Sequence, residues 1–295
     1  MYDLIIIGAG PAGLTAGIYA TRANLKTLIL EKESIGGQIA SSPLVENYPG
    51  LKSVSGAELA NNFFEQALDL GIDFEIEEVL SIEDGNIKKV ITDSNTYETK
   101  SIIIATGATH KRLGLENEEE LIGNGIHFCA SCDGAFYKDK TVAVIGGANS
   151  AVQNALYLSS LCQKVYLIYI NEELQCEKTL IDRLKTKTNI ELIPKTTITK
   201  YIGNPLEKII LNNEKELEVD GLFISIGMDA NTSLVNNLLN IDERNYIISD
   251  ECLTNKKGIF VAGDCREKNI RQVTTATNDG TIAANLAIRY LEEEK

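Results

Sequence analysis

The sequence predicts an α/β chain with more than one parallel-sheet domain, on three observations. A strand, a glycine loop and a helix open the chain at Leu4; a second such unit begins at Thr141; and a third strand–glycine element, Gly258 to Asp264, precedes a long C-terminal helical stretch. Strands alternating with helices on this spacing build a parallel sheet covered on its faces.

The first unit is chemically complete. The apolar run Leu4-Ile5-Ile6-Ile7 leads into Gly8-Ala9-Gly10-Pro11-Ala12-Gly13, and Leu14 to Ala20 has small-and-apolar helical spacing. Gly8 permits the turn, Gly10 lets a pyrophosphate approach the backbone, and Gly13 lets helix and strand pack closely. The helix N-terminus then faces the phosphate charge. A second strand, Thr27 to Leu30, ends in Glu31, near the roughly 20 residues beyond the last glycine expected for a ribose-binding acid. A bare glycine pattern is also an ordinary turn; with strand, helix and acid in order, dinucleotide binding is the stronger interpretation.

Further along come Gly36-Gly37-Gln38, Asn47-Tyr48-Pro49-Gly50, a helix near Gly56 to Leu70 and a strand closing in Ala105-Thr106-Gly107. Lys111 to Gly125 reads as a turn-rich connector whose acidic run, Glu116 to Glu120, is a solvated face. Asp264 follows the buried-type strand Ile259 to Ala262 and a glycine, where open α/β sheets place ligand contacts and a carboxylate can accept hydrogen bonds from hydroxyls. A helix N-cap is its plainer role.

Cys129-Ala130-Ser131-Cys132 could supply half a zinc site, but no second such pair exists. The other cysteines (Cys162, Cys176, Cys252, Cys265) are scattered, and the histidines are two, His110 and His127. A redox dithiol is the better interpretation, with Asp133 as a carboxyl able to shuttle a proton to a departing thiolate. The net charge of −14 argues against nucleic acid or an anionic membrane as partner. No apolar run approaches the roughly 18 residues of a bilayer span, and the N-terminus enters a strand at once, so a cytoplasmic location is expected.

Taken in order, the first fingerprint, Gly37-Gln38, Glu46 to Gly50, Ala105-Thr106-Gly107, Cys129 to Gly134, Gly263-Asp264 and Arg271-Gln272-Val273 resemble the bacterial low-molecular-weight thioredoxin reductases over nearly the whole chain. The resemblance implies two Rossmann-like domains of the three-layer ββα, FAD/NAD(P)-binding kind, the second inserted in the first. Residues 1–112 plus 243–295 would bind FAD, and 113–242 would carry the disulfide in a domain resembling an NADPH domain. It also implies a homodimer with thioredoxin as substrate. Carried over by position, Gly8, Gly10, Ala12 and Glu31 hold the pyrophosphate and adenosine ribose, with Pro11 and Lys32 beside them, and the Val79 backbone touches the adenine edge. Gly37, Gln38, Asn47, Thr106, Asp264, Arg271, Gln272 and Val273 line the ribityl chain and isoalloxazine, flanked by Ala105, Gly107 and Gly263. Cys132 would face the flavin, and Cys129 would attack thioredoxin.

The second unit departs from this pattern. Its loop reads Gly146-Gly147-Ala148-Asn149-Ser150-Ala151, with Ala148 where the phosphate-admitting glycine belongs. The family's histidine and arginines for the NADPH 2′-phosphate are replaced by Tyr169, Ile170, Asn171 and Gln175, amid Glu172, Glu173 and Glu177. The chain is thus similar to the ferredoxin-dependent flavin thioredoxin reductases. The alternatives are an NAD(P)H-dependent thioredoxin reductase with a divergent pocket, an FAD-dependent dithiol oxidase, and a non-catalytic flavin redox sensor. Acidic ferredoxin would need a basic patch, for which Lys111, Arg112, Lys138, Lys140, Lys268 and Arg271 are candidates.

Overall fold

The computed structural model describes residues 1–42 and 44–294. The chain forms two compact units, Met1–Thr109 with Asp229–Lys295, and His110–Met228. The return crossing comes fourteen residues before the expected 242/243 boundary. The reason is packing: Val235 and Leu239, with Leu234 and Leu238 against them, bury with Ile5, Ile247 and Val261 in the first unit's core. The outgoing crossing, at Thr109/His110, lies close to the expected 112/113.

The first unit is built on a seven-stranded sheet. Strands Asp73–Ile76, Thr27–Glu31, Tyr2–Ile7 and Thr96–Ile104 run parallel, in that order. The last of these is long enough to serve two partners on its far side. Its first half pairs antiparallel with Lys88–Thr92, and its second half pairs parallel with Ile259–Val261. A strand alternates its side chains between faces, so Leu4 and Ile6 join a core with Leu14, Ala16, Ala283 and Ala287, while Ile5 and Ile7 join Leu28, Leu30 and Ile259 on the other face. With both faces covered, strands read as unbroken apolar runs. Each fully buried Leu or Ile contributes about 1.5–3 kcal/mol.

Two helices cover the first of those faces, Pro11–Arg22 and the C-terminal Val273–Glu293. They meet through Gly280, where an added Cβ would come 2.2 Å from the Ala12 carbonyl oxygen. Gly280→Ala therefore forces the two helices apart.

The second unit has a five-stranded parallel sheet in the order Ile190–Ile193, Lys164–Ile168, Thr141–Ile145, Gly221–Ile224, Ile126–His127. A three-stranded antiparallel sheet, Ile198–Ile202, Lys208–Leu211 and Glu216–Glu218, packs into one of its cores. The connector is not wholly a solvated turn. Glu118 in the helix Glu118–Leu121 is buried, and its carboxylate accepts from the Leu113 and Leu115 N–H groups (3.1 and 3.2 Å) and the Tyr201 hydroxyl (3.2 Å). Among the described residues no helix is long and apolar enough to cross a membrane.

Candidate functional site

The first glycine loop is shaped by close approach. Gly8 has φ +110°, and a Cβ there would lie 2.4 Å from the Ala105 carbonyl oxygen; one on Gly13 would lie 1.9 Å from the Gly8 oxygen. Gly10 differs: a Cβ built on it meets nothing within 4 Å. It caps the helix Pro11–Arg22, whose first-turn N–H groups after Pro11 lack helical acceptors and make that end favourable to an anion. Gly37, at φ +54°, lies alongside, its Cβ position 3.5 Å from the Gly10 Cα. The Glu31 carboxylate is tied to the loop, accepting from the Ala9 (2.8 Å), Lys32 (2.9 Å) and Glu33 (3.1 Å) N–H groups. A carboxylate has about four acceptor positions, so one remains for a ribose hydroxyl. The Lys32 side chain is exposed and paired with Glu33, leaving its backbone as the part that touches the loop. Val79 is half-buried at the start of the strand Val79–Glu83.

The remaining first-unit candidates are joined by hydrogen bonds. Gln38 donates to the Ala108 carbonyl, Asn47 donates to the Gln272 side chain (3.3 Å), and Gln272 caps the C-terminal helix that Val273 begins. The Thr106 hydroxyl donates to the Asn231 carbonyl (2.6 Å), and the Asn231 N–H donates to Gly107 (3.0 Å). Asp264 is half-buried, and its Oδ1 is a buried atom with no hydrogen-bond partner; the Lys268 ammonium stands 3.7 Å away. Burial pushes its carboxyl above the usual range, against the pull of Lys268 and Arg271. A ligand hydroxyl donating to that oxygen would relieve the mismatch.

Sequence reasoning missed the carboxylate that organises this corner. Asp279 is 2% exposed and binds Arg266 Nε (2.9 Å), Lys268 Nζ (2.9 Å) and the Gly263 N–H (3.1 Å). An acid on the small-residue face of a helix was the available signal. Lys268 is thereby turned inward, and Arg271 lies over the Tyr246 ring (4.2 Å) while donating to the Lys268 carbonyl (3.0 Å).

In the second unit Cys129 and Cys132 form a disulfide, Cα atoms 5.3 Å apart, across the first turn of the helix Ala130–Asp133. Both cysteines are half-buried. Asp133 is buried, its Oδ2 3.3 Å from His127 Nδ1 and its Oδ1 without a hydrogen-bond partner. Burial pushes the thiols of Cys162 to about 11 and of Cys252 to about 12, and raises those of Cys176 and Cys265. These four stay protonated and unreactive. Among the described residues no group of three or more His, Cys, Asp or Glu could hold a metal ion.

The second glycine loop repeats the first in backbone but not in chemistry. Ala148 caps the helix Asn149–Leu158 with φ −94°, ψ −179°, against −76°, 179° at Gly10. Its methyl therefore points where the first loop is open. The following segment folds onto this loop: the Gln175 N–H donates to the Gly147 carbonyl (2.8 Å), and Asn149 and Glu177 exchange two hydrogen bonds (2.9 and 3.0 Å). A carboxylate thus sits at the helix end where a phosphate would bind. Ile170 is 70% exposed, and Glu172 pairs with Lys195.

The sequence profile described as pyridine nucleotide-disulphide oxidoreductase matches residues 2–280. A thioredoxin reductase of Bacillus subtilis is 40% identical over 99% of this chain and 96% of its own. A Clostridium pasteurianum protein named "34.2 kDa protein in rubredoxin operon" is 44% identical over 98% and 97%. The crystal structure of thioredoxin reductase from Streptococcus pyogenes superimposes with a TM-score of 0.94 at 37% identity, covering 99% of both chains. The FAD used by this family fits the first unit on two observations: the open space before Gly10 and the unsatisfied buried acceptor of Asp264. The chain belongs to the pyridine nucleotide-disulphide oxidoreductases, as a flavin disulfide oxidoreductase of thioredoxin reductase type.

Proposed function

We propose that this enzyme is a thioredoxin reductase independent of pyridine nucleotide, taking electrons from reduced ferredoxin through FAD and the Cys129–Cys132 disulfide to thioredoxin. One observation carries this: in two loops with matching N-cap backbone angles, the position that is open at Gly10 carries the methyl of Ala148, with Glu177 held at the same helix end. Charge-assisted hydrogen bonds are worth about 1.5–3 kcal/mol each. Cationic side chains missing at Ile170, Asn171 and Gln175 then remove roughly 5–9 kcal/mol, about three to six orders of magnitude in NADPH affinity, and the carboxylate adds repulsion.

Bound FAD supplies storage for two electrons, accepted singly and passed as a pair to the disulfide. Gly8, Gly10, Pro11, Ala12, Glu31 and Lys32 hold its pyrophosphate and adenosine ribose, and Val79 its adenine edge. Gly37, Gln38, Asn47, Ala105, Thr106, Gly107, Gly263, Asp264, Arg271, Gln272 and Val273 line the remainder. Cys132 takes the electron pair from the flavin, Cys129 attacks thioredoxin, and Asp133 moves the proton. The exposed cations Lys111, Arg112, Lys138 and Lys140 remain as ferredoxin contacts. We propose a cytoplasmic homodimer, with the 110–228 unit as the disulfide-bearing insertion.

A second hypothesis, NAD(P)H as donor, is favoured by the family's description; NADH is its milder form, lacking the 2′-phosphate. Anaerobic absorbance of the bound flavin separates the two. Bleaching by photoreduced ferredoxin with coupled thioredoxin reduction, and none by millimolar NADPH or NADH, is expected. Rapid bleaching by either nucleotide would overturn the proposal.

A further inference from the structure

Behind the cysteine turn lies a buried hydrogen-bonded row that the roles above do not use. His127, two residues before Cys129, is 4% exposed. Its Nδ1 is 3.3 Å from Asp133 Oδ2, and its Nε2 is 2.7 Å from the Tyr137 hydroxyl. The ring stacks on Phe223, and Tyr137 packs edge-on to both. A Cβ on Gly221 would come 2.5 Å from the Tyr137 ring, so the row is fixed from behind. At its front end is the unpartnered Asp133 Oδ1, one residue from Cys132, in the turn whose N–H groups from Cys132 and Asp133 bond the Cys129 carbonyl (3.2 and 3.0 Å).

A core histidine satisfied on both nitrogens is commonly structural. Here the row does not end in satisfaction: it ends in an acceptor with nothing to accept, on the residue that follows Cys132. Burial, then Asp133 and Asp220, push the Tyr137 phenol up to about 12, so it keeps its proton and can donate to His127 Nε2. In that arrangement the imidazole proton lies on Nδ1, facing Asp133 Oδ2. The other groups facing the row are Asp220, Lys140, whose ammonium is 5.4 Å from the Tyr137 ring centroid, and Cys162, which shares the field of Asp220.

We propose that His127 is the positioning residue of Asp133, and that the Asp133–His127 pair together holds the proton exchanged with the dithiol. Cys129 gives its proton to Asp133 Oδ1 and, as thiolate, forms a bond to one sulfur of the substrate disulfide while that disulfide breaks. The departing substrate sulfur takes this proton from the pair. Cys132, losing its own proton to solvent, then re-forms the Cys129–Cys132 bond and releases the second substrate sulfur, which is protonated from solvent. Two electrons pass from the enzyme's cysteines to the substrate's. A proton taken up on Asp133 Oδ1 leaves the contacts of Oδ2 with Nδ1 and of Nε2 with Tyr137 in place, and no heavy atom has to move.

The test is stopped-flow exchange between chemically reduced enzyme and oxidised thioredoxin across pH 5.5–9. A positioned proton donor is worth at least about a hundredfold. His127→Asn keeps an amide N–H for Asp133 but cannot titrate; it should slow exchange at least tenfold and erase an inflection that belongs to the coupled pair. His127→Phe should match Asp133→Asn. A wild-type profile in His127→Asn, or the same inflection at a lower rate, overturns the proposal. A measurement needing no variant is the imidazole ¹⁵N spectrum, simple in a chain with two histidines. Burial holds His110 down at about 4, so it is silent over this range. His127 shifts should change when the disulfide is reduced; unchanged shifts overturn the proposal. It rests on the cysteine assignment, and Cys129→Ser, which should abolish exchange, keeps failure of that assignment distinguishable.

Discussion

Gly10→Ala transplants the residue of the second loop into the first. The backbone accepts it, since φ −76° is ordinary for alanine and a Cβ there meets no atom within 4 Å. Replacing glycine by alanine at an N-cap costs about 0.5–1 kcal/mol. The narrower unfolded ensemble returns about 0.4–1 kcal/mol. The flavin-free protein should therefore unfold at an unchanged urea midpoint. Binding is different, because the methyl stands where a pyrophosphate meets the helix N-terminus. Losing one or two charge-assisted hydrogen bonds at about 1.5–3 kcal/mol each weakens FAD by roughly 1.5–6 kcal/mol, about tenfold to ten-thousandfold. Fluorescence titration of apoprotein with FAD measures the affinity and urea melts measure the stability. An FAD affinity within threefold of wild type would refute the claim that a methyl at this position excludes a dinucleotide, and with it the account of Ala148.

Three other outcomes follow from the site. Cys132→Ser should trap thioredoxin on Cys129 as a mixed disulfide that non-reducing gels resolve, and Cys129→Ser should trap none; the reverse pattern would exchange their roles. Asp264→Asn should weaken FAD yet stabilise the flavin-free protein at pH 7. The folded carboxyl is raised, so its ionised form costs stability above the folded pKa, and that cost vanishes below about pH 4, where both states are protonated. A gain that grew as pH fell, followed by thermal melts, would contradict this. Finally, one disulfide has to meet both a flavin and a protein, so a cross-link fixing the unit 110–228 to the remainder should slow turnover at least tenfold, and unchanged steady-state rates would refute the need for a hinge.

What the sequence made legible was whatever depends on local backbone. The Gly8 and Gly146 turns, the strands beside them and the Cys129–Cys132 turn are specified within a few residues of themselves. Tertiary charge pairing was not legible. Glu118 looks like one of four surface acids in a run and proves to be the one that the Leu113 and Leu115 amides and Tyr201 surround. Lys268 and Arg271 look like docking cations until Asp279 and Tyr246, distant in sequence or on another element, draw them inward. His127 was weighed only as a metal ligand, because its partners Asp133 and Tyr137 are fixed by the sheet and the turn together. The return crossing at Met228/Asp229 was set by Val235 and Leu239, too short an apolar stretch to announce which core it joins.

The two loops also separate what a glycine does for a fold from what it does for a ligand. Gly146 keeps a φ of +141°, and a Cβ on it would lie 2.2 Å from the Ser225 carbonyl oxygen, as one on Gly8 would crowd Ala105. That glycine is required whether or not anything binds, and it is present in both loops. The position that faces the ligand rather than the protein is the one that differs, Gly10 against Ala148. Ala148→Gly alone should then leave the second unit's stability nearly unchanged and still fail to confer reduction by NADPH. The Asn149–Glu177 pair would continue to hold a carboxylate at the helix end, and Ile170, Asn171 and Gln175 would still offer no positive charge. Flavin bleaching by NADPH in that single variant would mean the methyl, and not the charge around it, is what excludes the nucleotide.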